Sequence, residues 1–517
     1  MSDAKGRVAL ALTVITLAVA IVTAIVFLLR AGDPGAANWP ETWELRSSDN
    51  GSLFQMVGDF FAGRPLEWTF GPQLGLFPEL PISVVAYLGS GANVYVYYLL
   101  VACLNNAILF LGLYLLARTV WPEQTWHRAS ARAALATSPL VLLPLVGTSW
   151  LVSFHLAPAY YFGMYLVLIA APSVFFIRSP RRRAVVAVVI ALCVASNPLA
   201  LVFAGPGLAV AVLVRAAGSG WRSAIRPVVI VAAVVGLAAF VRLVLLSPLR
   251  GKSPLAYVDA TVFAERLRAL PMYFAYLMSD RSTAVILVVG AILAVSGLVL
   301  GIYGSVRYLR GNRSPRLLVM IYFGLVPLLG AAATYVIMIT HYLYSWPVFI
   351  APYVFTLLLV RGQWVRRALA VVPVAFLAIA LGTGSIASIG HPERYFGYRS
   401  AETTCIDDSV PSGVTTGYAT FSDARRLSLT SARGIGLVPL ETDASVSVWT
   451  TNLAYPRTMP GSFFYINRVG DELPIDVTEI TSLFGAPDQV VDCSDNQQLL
   501  IYTSPSAQAA IARYYRG

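Results

Sequence analysis

The chain has 517 residues, of which 57% are hydrophobic and only 12% are charged, and its mean hydropathy is +0.70. These values exclude an ordinary soluble globular protein. The net charge of +11 does not indicate nucleic acid binding, because the basic residues are scattered through short connections between apolar segments. The length allows one large membrane domain and one small soluble domain.

About 11 apolar segments follow one another along the chain, and most approach the roughly 20 residues that a membrane-crossing helix needs. They lie at residues 8–29, 94–117, 133–151, 159–177, 184–196, 199–214, 227–246, 283–306, 317–340, 345–360 and 368–389. The first is too long for the apolar part of a cleaved signal peptide, so it predicts a retained signal anchor. The pattern as a whole predicts an α-helical polytopic membrane protein.

The connections between these segments alternate in charge. If the N-terminus is cytoplasmic, alternate connections hold 19 of the 37 basic residues and only two acids, Asp3 and Glu123. This distribution follows the positive-inside rule, so we expect a cytoplasmic N-terminus. The other 24 of the 26 acids, including every candidate catalytic carboxylate, then lie on the extracytoplasmic side.

Segments 184–196 and 199–214 are short and meet at Asn197–Pro198. Proline disfavours a helical conformation at Asn197 and removes a helix hydrogen bond. The basic connections on both sides favour two separate crossings. One long kinked helix or a re-entrant pair are the alternatives.

Three predicted extracytoplasmic segments are long enough to fold, at residues 31–92, 247–282 and 391–517. The first two belong to a membrane domain of residues 1–390. In the first, SLFQMVGDFFAG predicts a short amphipathic helix, and in the second, TVFAERLRALPMYFAYLM predicts one that lies on the membrane surface. The third is predicted to be a small α/β domain, residues 391–517.

The α/β prediction for the C-terminal domain rests on short runs of both kinds. Strand-like runs are IGLVPL, VSVWT, SFFYIN, QVVDC and LLIYT, and helix-like runs are FSDARRLSLTSA, VTEITSLFG and SPSAQAAIARYYR. Cys405 and Cys493 bracket the domain in an oxidising compartment, so we expect a disulfide, with two packed free thiols as the alternative. Cys103 and Cys193 lie in apolar segments, where thiols act as small apolar fillers.

The segment of residues 31–92 holds the candidate catalytic acids. Asp49, Asn50 and Asp59 lie close in sequence to the first apolar segment. A carboxylate held near the membrane surface among aromatic side chains can serve as a general base. The structural alternative is that Asp49 only caps the predicted amphipathic helix.

A longer pattern starts at Asp49. It is D-N-G-S-x-F-x-x-x-x-D-F-F-x-G-R-x-L, followed by W-T-F-G-P and F-P-E, and it resembles the first-loop region of bacterial GT-C glycosyltransferases. The run GYATFSDARRL, with VWTTNLAYP, FFYINR, LFGAPDQVVDC and LLIY after it, is similar to the tail of uncharacterised bacterial members. Many members carry paired acids where this chain has Asp49–Asn50. That departure weakens the case for a divalent metal and leaves Asp49 as the base.

The resemblance implies a GT-C-like enzyme of the bacterial plasma membrane. It would move a sugar from a polyprenyl-phosphate donor to an extracytoplasmic glycan, lipid or protein acceptor of the cell envelope, with inversion. Asp49 would deprotonate the acceptor hydroxyl, and fixed cations would neutralise the departing phosphate. The candidate cations are Arg242, Arg250, Lys252 and His341. For Arg242 the alternative is snorkelling to the membrane interface.

Further residues are candidates for substrate contact. They are Asn50, Asp59, Glu79, His155 and Asn197. Glu79 either orients its loop or contacts sugar, and Asn197 is a helix-break residue as well as a possible sugar ligand. The sequence has neither zinc-ligand spacing nor a phosphate-binding glycine loop.

Two other functions compete with sugar transfer. A transporter or flippase of envelope lipids is disfavoured because no acid lies inside a predicted span. A non-catalytic cell-envelope scaffold would use the acidic loop structurally and the C-terminal domain to bind a polymer or a partner.

Overall fold

The structure is a computed structural model. It describes residues 48–71, 73–146, 162–177, 179–249, 281–338, 396–458, 461–467, 475–494 and 497–516, and isolated positions elsewhere. The predicted spans 8–29, 345–360 and 368–389, and most of the loop 247–282, lie outside the described residues. So do the site candidates His155, Arg250, Lys252 and His341.

The described residues between 48 and 338 are mostly helical. Their helices are α1 (Ser48–Phe61), α2 (Glu79–Ser90), α3 (Val94–Val120), α4 (Trp126–Val146), α5 (Phe162–Ala170), α6 (Pro180–Ser196), α7 (Leu199–Ser219), α8 (Arg222–Phe240), α9 (Arg281–Leu309) and α10 (Pro315–Met338). A 3₁₀ turn, Ala171–Phe175, continues α5, and a π-helical turn, Val241–Leu245, continues α8. A two-residue strand, β1 (Trp68–Thr69), lies between α1 and α2.

Several of these helices suit a bilayer. Within the described residues, four helical stretches are long and apolar enough to cross a membrane, Val94–Val120, Leu199–Ser219, Arg222–Leu245 and Gly290–Leu309. Phe162–Phe175 and Pro315–Gly330 are apolar but shorter. Each of these six stretches coincides with a predicted span. The structure is therefore that of a helical membrane protein.

The chain breaks between α6 and α7 as the proline predicted. Asn197 has an extended backbone, with φ −138° and ψ 98°, and Pro198 precedes the first turn of α7. The Asn197 Oδ1 accepts a hydrogen bond from the Leu199 N–H at 3.1 Å, so this side chain satisfies the first free N–H group of α7. One long kinked helix across this region is therefore wrong.

Glycines allow α9 and α10 to pack closely. A Cβ added at Gly324 on α10 would lie 2.4 Å from the Gly297 carbonyl oxygen and 2.8 Å from the Gly301 nitrogen, both on α9. These are backbone atoms and cannot turn away. Close approach of this kind is a common way for helices to associate where lipid surrounds them.

The C-terminal domain combines helices with a five-stranded sheet. Its elements are α11 (Ala401–Ser409), β2 (Thr416–Thr420), α12 (Phe421–Thr430), β3 (Gly436–Leu440), β4 (Thr451–Asn452), α13 (Tyr455–Thr458), β5 (Phe463–Asn467), α14 (Val477–Phe484), β6 (Gln489–Ser494), β7 (Gln497–Ile501) and α15 (Pro505–Arg516). The strand order is β3-β2-β5-β7-β6. The first three strands are parallel, and β5, β7 and β6 are antiparallel. This confirms an α/β fold.

The disulfide between Cys405 and Cys493 is confirmed. It links α11 to β6. Both cysteines pack against one buried cluster of the domain, which includes Ile406 and Leu499. The strand predicted at VSVWT is wrong, because Val446 makes only an isolated bridge to Leu440 and strand pairing resumes at β4. The strand β2 was not predicted.

We expect Gly324→Val to destabilise the membrane domain by about 1–3 kcal/mol, because the added side chain meets backbone that cannot move independently. Thermal unfolding in detergent measures this. Gly236→Val on α8 is the matched control, since none of the described residues lies within 4 Å of a Cβ added at Gly236. Equal loss of stability in the two variants would contradict close packing at Gly324.

Candidate functional site

The helix α1 carries the candidate base. It begins at Ser48, so Asp49 lies within its first turn and does not precede it as an N-cap residue. A carboxylate in the first turn interacts favourably with the helix dipole. The Asp49 side chain is partly exposed, and the Ser52 Oγ donates a 2.6 Å hydrogen bond to the Asp49 carbonyl.

The neighbouring Asn50 is fully buried. Among the described residues, neither its amide oxygen nor its amide nitrogen has a hydrogen-bond partner. Asn50 lies one turn before Leu53 on the same face of α1, and Leu53 packs against Trp68, Phe70 and Leu74. A buried amide without a partner costs folding free energy, and in native proteins it calls for an explanation such as an absent ligand or water.

The loop of residues 70–79 joins α1 to the end of α6. The Leu74 N–H donates to the Ser196 carbonyl at 2.8 Å, and the N–H groups of Leu76 and Phe77 donate to Ser196 Oγ at 2.8 and 3.0 Å. Ser196 immediately precedes Asn197. The Phe70 N–H donates to the Leu249 carbonyl at 2.8 Å, so the loop also holds the chain that follows α8.

Glu79 is buried at the start of α2, with 3% of its surface exposed. Its Oε1 accepts the Gly163 N–H at 2.8 Å, and the Phe162 N–H also donates to this carboxylate, so Glu79 ties the loop to the first turn of α5. Burial raises the pKa of Glu79 to about 7, and these hydrogen bonds only partly oppose the shift. The contacts support the loop-orienting role, and contact with sugar stays a prediction.

Arg242 lies in the π-helical turn after α8 and is 6% exposed. Its Nη1 donates to the Ala195 carbonyl at 2.7 Å, close to the carboxyl end of α6. A cation at this end of a helix is stabilised by the helix dipole. The guanidinium is thus buried and bonded to the protein at the end of α6.

Asp59 is 1% exposed near the end of α1. Its Oδ2 accepts from Trp68 Nε1 and Asn452 Nδ2, both at 3.1 Å. Its Oδ1 accepts from the Tyr455 hydroxyl at 2.5 Å and from Arg64 Nη1 at 3.3 Å. Protein donors therefore occupy both oxygens, and the predicted contact of Asp59 with substrate stays a prediction.

The C-terminal domain rests on the same loop and helix. Strand β1 pairs antiparallel with β4, and the Thr69 hydroxyl donates to the Val448 carbonyl at 2.7 Å. A Cβ on Gly71 would lie 2.6 Å from the Trp449 ring, so Gly71 is needed for this close approach. The segment 446–450 is used for docking, which explains why the strand predicted there does not form.

Sequence reasoning missed the residues of the C-terminal domain that meet this site. They are Arg425, Trp449, Asn452 and Tyr455. Their partners Trp68, Gly71 and Asp59 lie far earlier in the chain, so no local pattern could show them. Within the parts of the chain that the structure describes, no three His, Cys, Asp or Glu side chains gather closely enough to hold a metal ion.

Four of the described candidates form two groups that one loop connects. Asp49 and Asn50 lie on α1, whereas Asn197 follows α6 and Arg242, after α8, contacts the end of α6. The loop of residues 70–79 packs against Leu53 of α1 and donates hydrogen bonds to Ser196 of α6, and α2 begins at its end with Glu79. The arrangement offers a carboxylate on one side of a loop and a buried cation on the other.

No family model matches this chain, and no curated protein is similar to it in sequence. Among solved structures, it is similar to the crystal structure of ArnT from Cupriavidus metallidurans bound to undecaprenyl phosphate. The TM-score is 0.45 and the identity 13%, over 95% of this chain and 98% of that chain. The functional assignment therefore rests on the residues of this chain.

We expect Asn50→Leu to stabilise the protein, by about 1–3 kcal/mol, because it removes a buried amide that has no partner. Asn452→Leu is the matched control, since the Asn452 amide makes four hydrogen bonds and its loss should destabilise the protein. Thermal unfolding of both variants in detergent measures the difference. Equal destabilisation would show that Asn50 is satisfied in the folded protein.

Because the pKa of Glu79 is raised in the folded protein, we expect the stability to depend on pH. Since the folded-state pKa is about 7 and the ordinary value is 4.5, the folded protein holds a proton that the unfolded chain releases between these values. The free energy of unfolding should therefore fall as pH rises from about 4.5 to 7, by up to about 3 kcal/mol.

Glu79→Gln keeps the acceptor for the Gly163 N–H and should abolish this fall, whereas Glu479→Gln, which changes an exposed glutamate, should leave it intact. Denaturant unfolding between pH 4.5 and 8 measures the slopes. If the free energy of unfolding fell equally with pH in wild type and Glu79→Gln, the raised pKa of Glu79 would be refuted.

Proposed function

We propose that this protein is a membrane glycosyltransferase that moves a sugar from a polyprenyl-phosphate donor to an extracytoplasmic acceptor. The observation that supports it best is how the loop of residues 70–79 connects two helices. The loop packs against α1, which carries Asp49, and donates hydrogen bonds to the end of α6, which Arg242 also contacts. A base and a fixed cation are the two groups that this transfer requires.

The chemistry divides between these two groups. The acceptor hydroxyl oxygen forms a bond to the anomeric carbon while the bond from that carbon to the phosphate oxygen breaks. Asp49 takes the hydroxyl proton, and the polyprenyl phosphate leaves with the bonding electron pair. Attack from the face opposite the phosphate inverts the anomeric configuration. Arg242, which is always protonated, stabilises the developing negative charge on the phosphate.

Other candidates have supporting roles in this proposal. The Asn50 amide, buried without a partner, is assigned to a sugar hydroxyl. Asn197 lies beside the donor phosphate, and Glu79 holds the loop. Arg250 and Lys252 follow Leu249, whose carbonyl the Phe70 N–H contacts, so they remain proposed phosphate ligands.

The proposed orientation rests on the positive-inside distribution, with a cytoplasmic N-terminus and an extracytoplasmic C-terminal domain in a bacterial plasma membrane. The Cys405–Cys493 disulfide supports it, because disulfides persist outside the cytosol. His155 and His341 are proposed to face the same extracytoplasmic space. An apolar cavity of about 510 Å³ between α5, α6, α7 and α8 suits a prenyl chain.

The direct test is transfer of radiolabelled sugar from polyprenyl-phosphate donors to envelope acceptors by the purified protein in lipid nanodiscs. We expect Asp49→Asn to lower kcat by about 10²–10⁴-fold, since it removes a general base while keeping the size of the side chain. Asp492→Asn, an exposed acid on β6, is the control and should transfer sugar like wild type.

Full activity of a folded Asp49→Asn variant would remove the catalytic role of Asp49. No transfer by folded wild type with any donor would contradict sugar transfer and favour a transporter or a scaffold.

A further inference from the structure

The carboxylate of Asp59 is a junction between distant parts of the chain. Two of the four hydrogen-bond donors to Asp59, Trp68 and Arg64, lie between α1 and α2, in the segment called the first loop here. The other two, Asn452 and Tyr455, belong to the C-terminal domain and are 393 and 396 residues away in sequence. Burying a charge is costly unless hydrogen bonds and an opposite charge compensate it, and here they do.

In the C-terminal domain, Asn452 makes several of the hydrogen bonds to this part of the chain. Its Nδ2 also donates to the Pro65 carbonyl at 2.7 Å, and its Oδ1 accepts from the N–H groups of Glu67 and Ala454 at 3.2 and 3.1 Å. One side chain of the C-terminal domain thereby holds Asp59 on α1 and two residues of the loop after α1. Burial, together with the charge of Asp59, raises the pKa of Tyr455, so its hydroxyl stays protonated and remains a donor.

The C-terminal domain also touches the other end of α1. A Cβ at Gly51 would lie 2.4 Å from Leu429 Cδ1 and 3.5 Å from Arg425 Cβ, both on α12. Gly51 is two residues from Asp49. The Arg425 guanidinium lies 5.5 Å from the centre of the Trp68 ring and donates to Thr450 Oγ1 at 3.0 Å. The domain therefore contacts α1 near both its ends.

We propose that Asp59 is a positioning residue that ties α1 to the C-terminal domain and so keeps Asp49 in place. That Asp49 is what α1 positions for chemistry rests on the proposed function; the tie itself does not. Asp59 acts through α1, because it is 1% exposed and protein donors occupy both its oxygens. The C-terminal domain then serves as a brace for the catalytic helix.

The test uses the full chain in lipid nanodiscs and measures amide hydrogen exchange together with kcat and KM. The variants are Asp59→Asn and Asn452→Ala, with Asp492→Asn as the control. We expect amides of α1 to exchange at least tenfold faster in both variants, while strands β5 and β7 exchange as in wild type. We expect kcat to fall at least tenfold, with less change in KM and an unchanged pH profile.

Tyr455→Phe removes one donor and leaves three, so it keeps the proposal testable if Asp59→Asn does not fold. It should show smaller changes in the same direction. Unchanged exchange of α1 would overturn the proposal. Exchange that is equally faster in β5 and β7 would also overturn it, because Asp59 would then only stabilise the domain. Faster exchange of α1 with a wild-type kcat would overturn it as well. If wild type transfers no sugar, sugar transfer fails as the function, and the exchange data alone decide whether Asp59 ties α1 to the domain.

Discussion

A buried carboxylate joins the two parts of this protein. Asp59 lies at the end of the helix that carries the candidate base, and half of its hydrogen-bond donors come from the C-terminal domain. An unpaired carboxylate at 1% exposure would destabilise the fold, so α1, the first loop and β4 must assemble together. The geometry of the candidate site depends on this junction.

The membrane imposes the second constraint. Backbone groups at the helix break have hydrogen-bond partners within the protein. The Ser196 carbonyl at the end of α6 accepts from the Leu74 N–H, and the Leu199 N–H at the start of α7 donates to the Asn197 side chain. The same break, at Asn197, lies two residues after Ala195, whose carbonyl accepts a hydrogen bond from the Arg242 guanidinium. One helix break thus supplies both a turn in the chain and a place where a buried cation is tolerated.

Much of the fold could be predicted from the sequence, because apolar length, charge alternation and proline act locally. They predicted the helices of the described spans, the break at Pro198, the helix α1 and the Cys405–Cys493 pair. The contacts of Asp59 and the docking of segment 446–450 could not be predicted, since they join residues nearly 400 positions apart. The inward orientation of Arg242 depends on packing against α6, which its own segment does not reveal.

The central claim is that Asp49 and Arg242 face one substrate from two sides. A structure of the protein in nanodiscs with a non-hydrolysable polyprenyl phosphonate sugar would test it most directly. The account predicts the phosphonate within about 3 Å of the Arg242 guanidinium, with the anomeric carbon between it and Asp49. A phosphonate bound elsewhere, with Arg242 still bonded to the Ala195 carbonyl and not to the phosphonate, would contradict it.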